Sequence, residues 1–211
     1  MRAANHLVIF ARAPRLGAVK RRLAADIGAL GASHFYRQTL AGVLRRLGRD
    51  RRWRTWLAVT PDRFARAPGM WRAAAGRSGL PSLLPQGGGD LGARMARPFD
   101  RLPPGPVVIV GCDIPDLLPA HVARAFAALG RHDAVFGPAT DGGYWLVGLR
   151  RRPRIPALFR GVRWSTPDAL SDTRANLGPP LSVALIDTLA DIDDGAAFAA
   201  WRETIRTRAR T

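Results

Sequence analysis

The sequence has very little cysteine and lysine, and it has no long run of apolar residues. Its one cysteine, Cys112, excludes an internal disulfide framework and any metal site built from several thiolates. No stretch approaches the roughly 20 apolar residues that a membrane-spanning helix needs. Residues 1–10 lack the long apolar region and the small-residue cleavage site of a signal peptide. We therefore expect a cytoplasmic protein without a membrane span.

Acidic residues are also scarce. The chain has 33 Lys and Arg against 16 Asp and Glu, which gives a formal net charge of +17. Clustered arginines are typical of proteins that bind nucleic acid, so an arginine-rich nucleic-acid-binding protein is the alternative from another class. The arginines are instead scattered through predicted helices and loops, and a general preference for arginine codons explains the excess equally well. We expect nucleic acid not to be the main partner, whereas the charge favours a polyanionic small ligand.

Apolar segments recur along all 211 residues, of which 47% are hydrophobic, so the chain can bury a substantial core. We expect a single domain over residues 1–211, with a core of about 6–195 and a C-terminal helix at 196–208. Strands alternating with helices predict an α/β fold with a mostly parallel sheet. The predicted strands are His6–Phe10, Trp56–Thr60, Ser82–Pro85, Val107–Gly111, Ala134–Gly137, Tyr144–Leu149 and Leu181–Ile186. The predicted helices are Val19–Ile27, Ser33–Leu47, Leu91–Asp100, Ala120–Leu129, Pro167–Ala175 and Ala196–Arg208.

The strand at Tyr144–Leu149 differs from the others. Only Asp141-Gly142-Gly143 forms a turn before it, and this is too short for the helical crossover that joins parallel strands. An antiparallel pairing, or a strand bent away from its neighbour, is expected there, so the sheet is predicted to be mixed.

The only lysine, Lys20, lies in the first loop, between the predicted strand His6–Phe10 and the following helix. Pro14 and Gly17 break the chain just before it. In a chain that otherwise uses arginine, this position favours a flexible point charge over a planar guanidinium. The segment combines a strand, a loop and a helix N-terminus that carries three cations. This combination predicts a phosphate site. The alternative is a solvated helix start.

Three aspartates follow predicted strands, where an α/β sheet binds its ligands. Asp113 comes directly after the β-branched run Val107–Val110, and Pro115 keeps it on an exposed corner. A carboxylate there can hold a divalent cation that in turn holds a diphosphate; the alternative is a cap for the next helix. Asp191 and Asp193 alternate across Ile192, so an extended segment points both the same way. A pair of carboxylates on one side can hold Mg²⁺ or Mn²⁺. The alternative is that this segment begins a helix that Asp193 or Asp194 caps.

Two glycine-containing segments are further candidates. In Asp141–Trp145, glycines allow a ligand to approach the backbone and the aromatic rings can stack on a sugar or base, although a hairpin turn also explains the glycines. The segment Gln86–Arg94 can wrap a nucleotide base, but it does not fit the Rossmann fingerprint, and the first loop does not complete a Walker A motif. Arg163-Trp164-Ser165-Thr166 offers hydroxyls and a cation in a loop. No arrangement of histidine, serine and aspartate indicates a triad hydrolase.

In order along the chain, these segments resemble a known family, the glycosyltransferase-like proteins of arsenosugar biosynthesis. This family is related to the guanylyltransferases of deazaflavin and molybdenum cofactor synthesis. The matching blocks run from residue 10 to about 195, nearly the whole chain, and Arg21 stands where the family usually has threonine. The blocks are Phe10-x-Arg12-x-Pro14-x-x-Gly17-x-Val19-Lys20-x-Arg22-Leu23, Asp90-Leu91-Gly92-x-Arg94-Met95, Gly111-x-Asp113-x-Pro115, Asp141-Gly142-Gly143-Tyr144-x-Leu146-x-Gly148-Leu149, Trp164-Ser165-Thr166 and Asp191-Ile192-Asp193.

The resemblance implies a Rossmann-like nucleotide-diphospho-sugar transferase fold of the GT-A type. It implies a metal-dependent transferase that uses a nucleotide or nucleotide-sugar donor and a small-molecule acceptor, most simply a glycosyltransferase. A nucleotidyltransferase that joins a nucleoside triphosphate to a phosphorylated small molecule uses the same elements and stays open as the alternative. The implied metal is Mg²⁺ or Mn²⁺, held by Asp113, Asp191 and Asp193. The implied catalytic residues are Asp113 and Asp141. The implied nucleotide site comprises Arg12, Gly17, Lys20, Arg22, Gln86, Asp90, Gly92 and Arg94. The implied substrate site comprises Gly142, Gly143, Tyr144, Trp164, Ser165 and Thr166.

Overall fold

The apolar segments form one sheet at the centre of the molecule. A computed structural model describes residues 4–76, 79–152 and 155–208. Its strands are β1 (His6–Arg12), β2 (Arg54–Thr60), β3 (Ser82–Pro85), β4 (Val107–Gly111), β5 (Ala134–Pro138), β6 (Tyr144–Leu149) and β7 (Val183–Leu185). Its helices are α1 (Arg21–Leu47), α2 (Pro68–Ala75), α3 (Leu91–Arg101), α4 (Pro119–Leu129), α5 (Ala169–Ala175) and α6 (Gly195–Arg208), with a 3₁₀ turn at Asp62–Arg66.

The strands of this sheet are mostly parallel, as predicted. Within the described residues it has seven strands in the order β3-β2-β1-β4-β6-β5-β7. Strand β6 runs antiparallel to both β4 and β5, and the other pairs are parallel. The prediction of a mixed sheet from the short turn before Tyr144 is therefore confirmed. Because β6 is reversed, its first residues lie at the same edge as the last residues of β1 and β4.

Each face of the sheet is covered by helices, because the strands are apolar on both faces. Alternate strand residues such as Leu7 and Val108 pack with α1, α2 and α4 on one face. Val8 and Ile109 pack on the other face with α3 and with aromatic residues of the 155–168 segment. Helix α6 lies outside these layers and packs its aromatic residues against Phe35 of α1. None of the helices in the described part of the chain is long and apolar enough to cross a membrane.

The predicted break between the first two helices is confirmed. Val19–Ile27 and Ser33–Leu47 were predicted as separate helices, and α1 is interrupted between them at Gly28, where φ is +78° and ψ is +155°, outside the helical region. Glycine adopts this conformation at no steric cost, so the chain changes direction there. Helix α2 and the 3₁₀ turn before it lie in a segment for which no element was predicted. Trp71 of α2 is fully buried, so tertiary packing stabilises this short helix.

Candidate active site

A cleft of about 910 Å³ opens at the carboxyl ends of the parallel strands. Its walls come from the ends of β1 and β4, the start of β6, the first loop and the N-terminal parts of α1 and α3. Many of the predicted site residues contribute to its lining, and these are Arg12, Gly17, Lys20, Arg22, Gln86, Arg94, Asp113, Tyr144, Ser165 and Asp193.

Three carboxylates come together beside this cleft. One oxygen from each of Asp113, Asp191 and Asp193 lies within 4.8 Å of the others, and all three residues are partly buried. We call these three residues the carboxylate cluster. Ile192 points the opposite way and is buried against α1, so the predicted alternation across Ile192 is confirmed. Carboxylate oxygens at this spacing are the ligand type that Mg²⁺ and Mn²⁺ prefer, and the donor set therefore fits such an ion.

The neighbouring aspartates take the capping roles that the sequence left open. Asp194, not Asp193, caps α6, because its Oδ1 accepts a hydrogen bond from the Ala197 N–H at 2.9 Å. The N-cap position of α4 is Leu118 rather than Asp113. Asp113 and Asp193 are thus left with their carboxylates in the cluster.

Lys20 is the counter-ion of the carboxylate cluster. Its Nζ donates to Asp113 Oδ2 at 2.8 Å and also donates to Asp193 Oδ1, and its side chain is only 5% exposed. Burial by itself lowers the pKa of Lys20, but the two carboxylates outweigh burial and the net pKa is raised. The ammonium is therefore charged at neutral pH, and Lys20 is not a general base.

Asp191 accepts no hydrogen bond from Lys20 in this arrangement. Burial raises its pKa to about 6, with further contributions from the negative charges of Asp193, Asp113 and Asp141. Asp141 is therefore near enough for its charge to act on Asp191. Asp141 also closes the turn before β6, since its Oδ1 accepts the Gly143 N–H at 2.9 Å.

Tyr36 of α1 joins the ends of β1 and β4 beneath the cleft, and it was not among the predicted site residues. Its hydroxyl accepts the Arg12 N–H at 2.9 Å and donates to the Arg12 carbonyl at 2.8 Å. It also lies 3.2 Å from Cys112 Sγ. Burial, followed by the neighbouring Asp113, raises the pKa of Cys112 to about 12. Cys112 therefore stays a thiol.

We expect the variant Tyr36→Phe to be destabilised by about 1–3 kcal/mol, since it removes the partner of the part-buried Arg12 N–H and carbonyl. This corresponds to a fall in Tm of roughly 2–10 °C for a chain of this size. The control is Tyr144→Phe. The Tyr144 hydroxyl lies 3.4 Å from Thr173 Oγ1, and that Oγ1 also donates to the Ala169 carbonyl at 2.7 Å. Its removal should therefore destabilise the protein less than Tyr36→Phe does. Thermal unfolding of both variants measures the difference in Tm, and an equal fall in Tm for both would contradict the prediction.

Gln86 and Arg94 form the wall of the cleft beyond β2 and β3. The buried Gln86 amide donates to the Ala58 carbonyl at 2.9 Å and to the Ala11 carbonyl at 3.3 Å. Its Oε1 accepts from Arg94 Nη1 at 3.3 Å. Gln86 thus fixes the strand ends, and Arg94 presents its guanidinium to the cleft.

Two of the other predicted nucleotide-site residues serve local structure. Asp90 caps α3, with its Oδ1 accepting the Ala93 N–H at 2.7 Å. Gly92 lies in the first turn of α3, where a Cβ would come 2.8 Å from Phe159 Cβ and 2.9 Å from the Trp164 ring. Neither residue lines the cleft, so each affects it through the start of α3.

The predicted substrate residues lie on two adjoining loops. Gly142 has φ +87° and its backbone touches that of Pro167. Tyr144 packs edge-to-face against Trp164 at 6.5 Å between ring centroids. Ser165 lines the cleft with φ +61°, a conformation that non-glycine residues adopt at a cost. Thr166 accepts from the Asp168 N–H and donates to the Arg163 carbonyl, so it holds the turn rather than the cleft.

Comparison with protein families gives one match. The family model described as "Uncharacterized protein conserved in bacteria (DUF2064)" matches residues 43–166. No curated protein matches the chain.

Solved structures give further similarities. A protein of Desulfovibrio desulfuricans G20, provisionally assigned as a nucleotide-diphospho-sugar transferase, is 28% identical with a TM-score of 0.76, over 96% of this chain and 95% of that one. Molybdopterin-guanine dinucleotide biosynthesis protein A of Archaeoglobus fulgidus is 11% identical with a TM-score of 0.57, over 96% and 99%. A mannosyltransferase of Pyrobaculum calidifontis, in complex with GDP-Man and Mn²⁺, is 11% identical with a TM-score of 0.57, over 96% and 60%. The two distant matches show the fold alone. Together the three confirm the predicted fold, and the Desulfovibrio protein agrees with the expectation of a transferase.

Proposed function

The chain belongs to the DUF2064 family, and we propose that it is a metal-dependent transferase that uses a nucleotide-activated donor. The leading reaction is glycosyl transfer from a nucleotide sugar to a small-molecule acceptor. One observation carries this proposal: the carboxylate cluster, a lysine and several arginines converge on one cleft at the carboxyl edge of the sheet.

The carboxylate cluster is the proposed metal site. Asp113, Asp191 and Asp193 would hold Mg²⁺ or Mn²⁺, which fits their all-oxygen donor set. A divalent cation bound there supplies positive charge that stabilises the negative charge developing on a departing nucleoside diphosphate. Asp113 follows the central strand β4 by two residues, so the sheet positions it.

Cations around the cleft are proposed to bind the phosphates. Arg12 lies at the end of β1, and Lys20 and Arg22 flank the start of α1, whose N-terminus also favours an anion. Fixed positive charges that face a leaving diphosphate contribute most when charge develops in the transition state. The full proposed nucleotide site is Arg12, Gly17, Lys20, Arg22, Gln86, Asp90, Gly92 and Arg94.

The opposite side of the cleft is the proposed sugar and acceptor site. Tyr144 and Ser165 line it, and Trp164 packs against the Tyr144 ring. Aromatic faces suit the apolar side of a sugar ring. Asp141, whose charge acts on Asp191, would accept the proton from the acceptor hydroxyl as it attacks the donor. Gly142, Gly143 and Thr166 shape the two loops that present these groups.

Glycosyl and nucleotidyl transfer use the same metal and phosphate groups, and differ in whether the sugar carbon or the α-phosphorus is attacked. The 28% identity to a protein provisionally assigned as a nucleotide-diphospho-sugar transferase supports glycosyl transfer. The aromatic pair beside the cleft supports it as well, because nucleotidyl transfer does not require a surface for a neutral sugar.

The first test is thermal shift against nucleoside triphosphates, nucleoside diphosphates and nucleotide sugars, each with and without Mn²⁺. A ligand at 100 times its Kd stabilises by about 2.7 kcal/mol, or roughly 5–10 °C for this size of chain. We expect the largest shifts with nucleotide sugars and Mn²⁺ together. Shifts with triphosphates alone would favour nucleotidyl transfer, and no shift with any nucleotide would contradict both reactions.

Product analysis then separates the two reactions. Turnover of the donor that gives the largest shift is expected to release a nucleoside diphosphate. Release of pyrophosphate from a triphosphate would identify a nucleotidyltransferase instead.

Several arginines are engaged by the fold, which weakens the nucleic-acid alternative. Arg46 donates to the carbonyls of Pro115 and Leu117 at 2.9 Å each. Arg151 donates to the Leu102 carbonyl at 2.7 Å, and Arg37 donates to the Pro14 carbonyl at 2.9 Å. These guanidinium groups replace backbone donors at loop ends, so part of the positive charge has a structural role. Fluorescence anisotropy with labelled DNA and RNA at low salt tests whether the remaining positive charge binds nucleic acid.

A further inference from the structure

Lys20 pairs with two members of the carboxylate cluster, the same groups that are proposed to hold the metal ion. It is the only lysine of the chain, and its ammonium donates to both Asp113 and Asp193. The Lys20 side chain is almost completely buried, whereas those of Asp113 and Asp193 are 33% and 45% exposed. The ammonium therefore sits on the inner side of the cluster, while the carboxylates remain accessible from the cleft.

The backbone at Lys20 provides an independent observation. Its φ and ψ are 48° and 51°, the left-handed conformation, at the residue immediately before α1. Residues with a Cβ adopt this conformation at a cost, and the two ion pairs offset that cost. In the preceding loop, Gly17 also has a positive φ, +72°, and a Cβ added there would meet no atom within 4 Å. Loss of the ion pairs would therefore allow this segment to relax to an ordinary conformation.

We propose that Lys20 acts as an internal substitute for the metal ion in the nucleotide-free protein, and that a divalent cation displaces it toward the phosphates of the donor. This inference rests on the proposed metal-dependent function. An ammonium and a divalent cation on the same carboxylates repel each other strongly. Metal binding therefore releases Lys20, and a bound diphosphate gives the released ammonium a new partner.

Two consequences follow from this exchange. Metal and nucleotide bind cooperatively, because each favours the displaced position of Lys20, and the coupling is reciprocal. The choice of lysine in an arginine-rich chain is also explained. An ammonium is a compact charge with three donors on a flexible stem, whereas a planar guanidinium fills more space and prefers two-point contacts.

The wild-type protein itself offers a direct test. Labelling lysine with ¹⁵N at Nζ gives a single side-chain ammonium signal, since the chain has one lysine. Without metal we expect slow solvent exchange of its protons, because the ammonium is buried and hydrogen-bonded. Saturating Mg²⁺ should shift the signal and accelerate this exchange, and a nucleoside diphosphate should then slow it again. A signal that stays unchanged while Mg²⁺ fills the site would overturn the proposal.

Variants test the same exchange through metal affinity. Electron paramagnetic resonance of free Mn²⁺ measures the Kd without any turnover. Lys20→Met should bind Mn²⁺ about tenfold more tightly than wild type in the absence of nucleotide, within the range of coupled sites. The matched control Arg21→Met also removes one positive charge next to the site, but no ion pair with the cluster, so its Kd should change much less. Equal or weaker Mn²⁺ binding by Lys20→Met would overturn the proposal. If this variant does not fold, the wild-type ammonium signal decides alone.

A third variant separates this proposal from the proposed function. Asp113→Asn should lose Mn²⁺ binding, which shows that binding occurs at the cluster. If wild type binds Mn²⁺ through Asp113 but Lys20 neither moves nor affects the Kd, the lysine exchange is wrong and the metal-dependent function stands. If wild type binds no Mn²⁺ with or without nucleotide, both are wrong.

Discussion

Replacing Asp113 with asparagine is expected to abolish transfer and to leave the fold intact. An amide is a poor substitute for a carboxylate on Mg²⁺ or Mn²⁺, and Asp113 is the cluster member at the end of β4, the strand that lies beside β1 and β6. Groups that stabilise developing charge each contribute roughly 10²–10³ in rate, and a metal ion acts on several oxygens at once. We therefore expect a loss of about a thousandfold or more in kcat, measured with the donor that thermal shift identifies.

Stability should respond very differently to this change. The side chain of Asp113 occupies a partly exposed corner, and asparagine has the same size. The substitution removes one ion pair of Lys20 but also removes one of three like charges, and Lys20 keeps its bond to Asp193. These effects oppose each other, so Tm is expected to change by no more than a few degrees, or about 1 kcal/mol.

The matched control is Asp116→Asn. Asp116 lies three residues further along, is partly exposed and pairs with Arg208 at 3.0 Å, outside the cleft. Its variant should keep both Mn²⁺ binding and transfer. Full activity of Asp113→Asn would remove Asp113 from the metal site, whereas a collapse of Tm in that variant would show that the aspartate is structural.

The strands were predictable because each is a short apolar run that ends in a turn residue. All seven predicted strands occur within the described residues, and β6 was correctly set apart. The turn Asp141–Gly143 permits only a reversed or bent strand. Local sequence therefore specified the order of elements, and chain length between strands specified the reversed strand.

The errors lie where local sequence and tertiary packing disagree. Pro68 and Gly69 begin α2 and read as chain breakers, although proline is well placed in the first turn of a helix. The buried Trp71 stabilises this helix from outside the segment. At Gly28, by contrast, the pattern correctly indicated a break between two helices, because this glycine has non-helical φ and ψ that interrupt α1.

The members of the carboxylate cluster were predicted individually, but their relation to Lys20 was not. Lys20 is separated from Asp113 by 93 residues and from Asp193 by 173. Strand-end rules placed each residue at the same edge of the sheet, but they do not predict an ammonium between two carboxylates. Tyr36 gave no signal at all, because a tyrosine on the buried face of a helix looks like an ordinary core residue.

The second large effect is expected at Gly142, which joins the two loops of the proposed acceptor site. Its φ of +87° favours glycine, and an added Cβ would lie 2.3 Å from the Pro167 carbonyl oxygen. The Gly142 carbonyl also accepts the Leu170 N–H at 3.2 Å, near the start of α5. A side chain at this position therefore forces one backbone away from the other.

We expect Gly142→Ala to be destabilised by at least about 3 kcal/mol, or roughly 6–12 °C in Tm, and to lose affinity for the acceptor. The matched control is Gly161→Ala, where φ is +66° but no atom lies within 4 Å of the added Cβ. It carries only the conformational cost of about 1–2 kcal/mol.

The difference in stability loss between Gly142→Ala and Gly161→Ala isolates the contact with Pro167. This contact holds the turn at Asp141 against the loop of Ser165. Equal losses in both variants would mean that the two loops separate freely, and an unchanged KM for the acceptor in Gly142→Ala would place the acceptor elsewhere in the cleft.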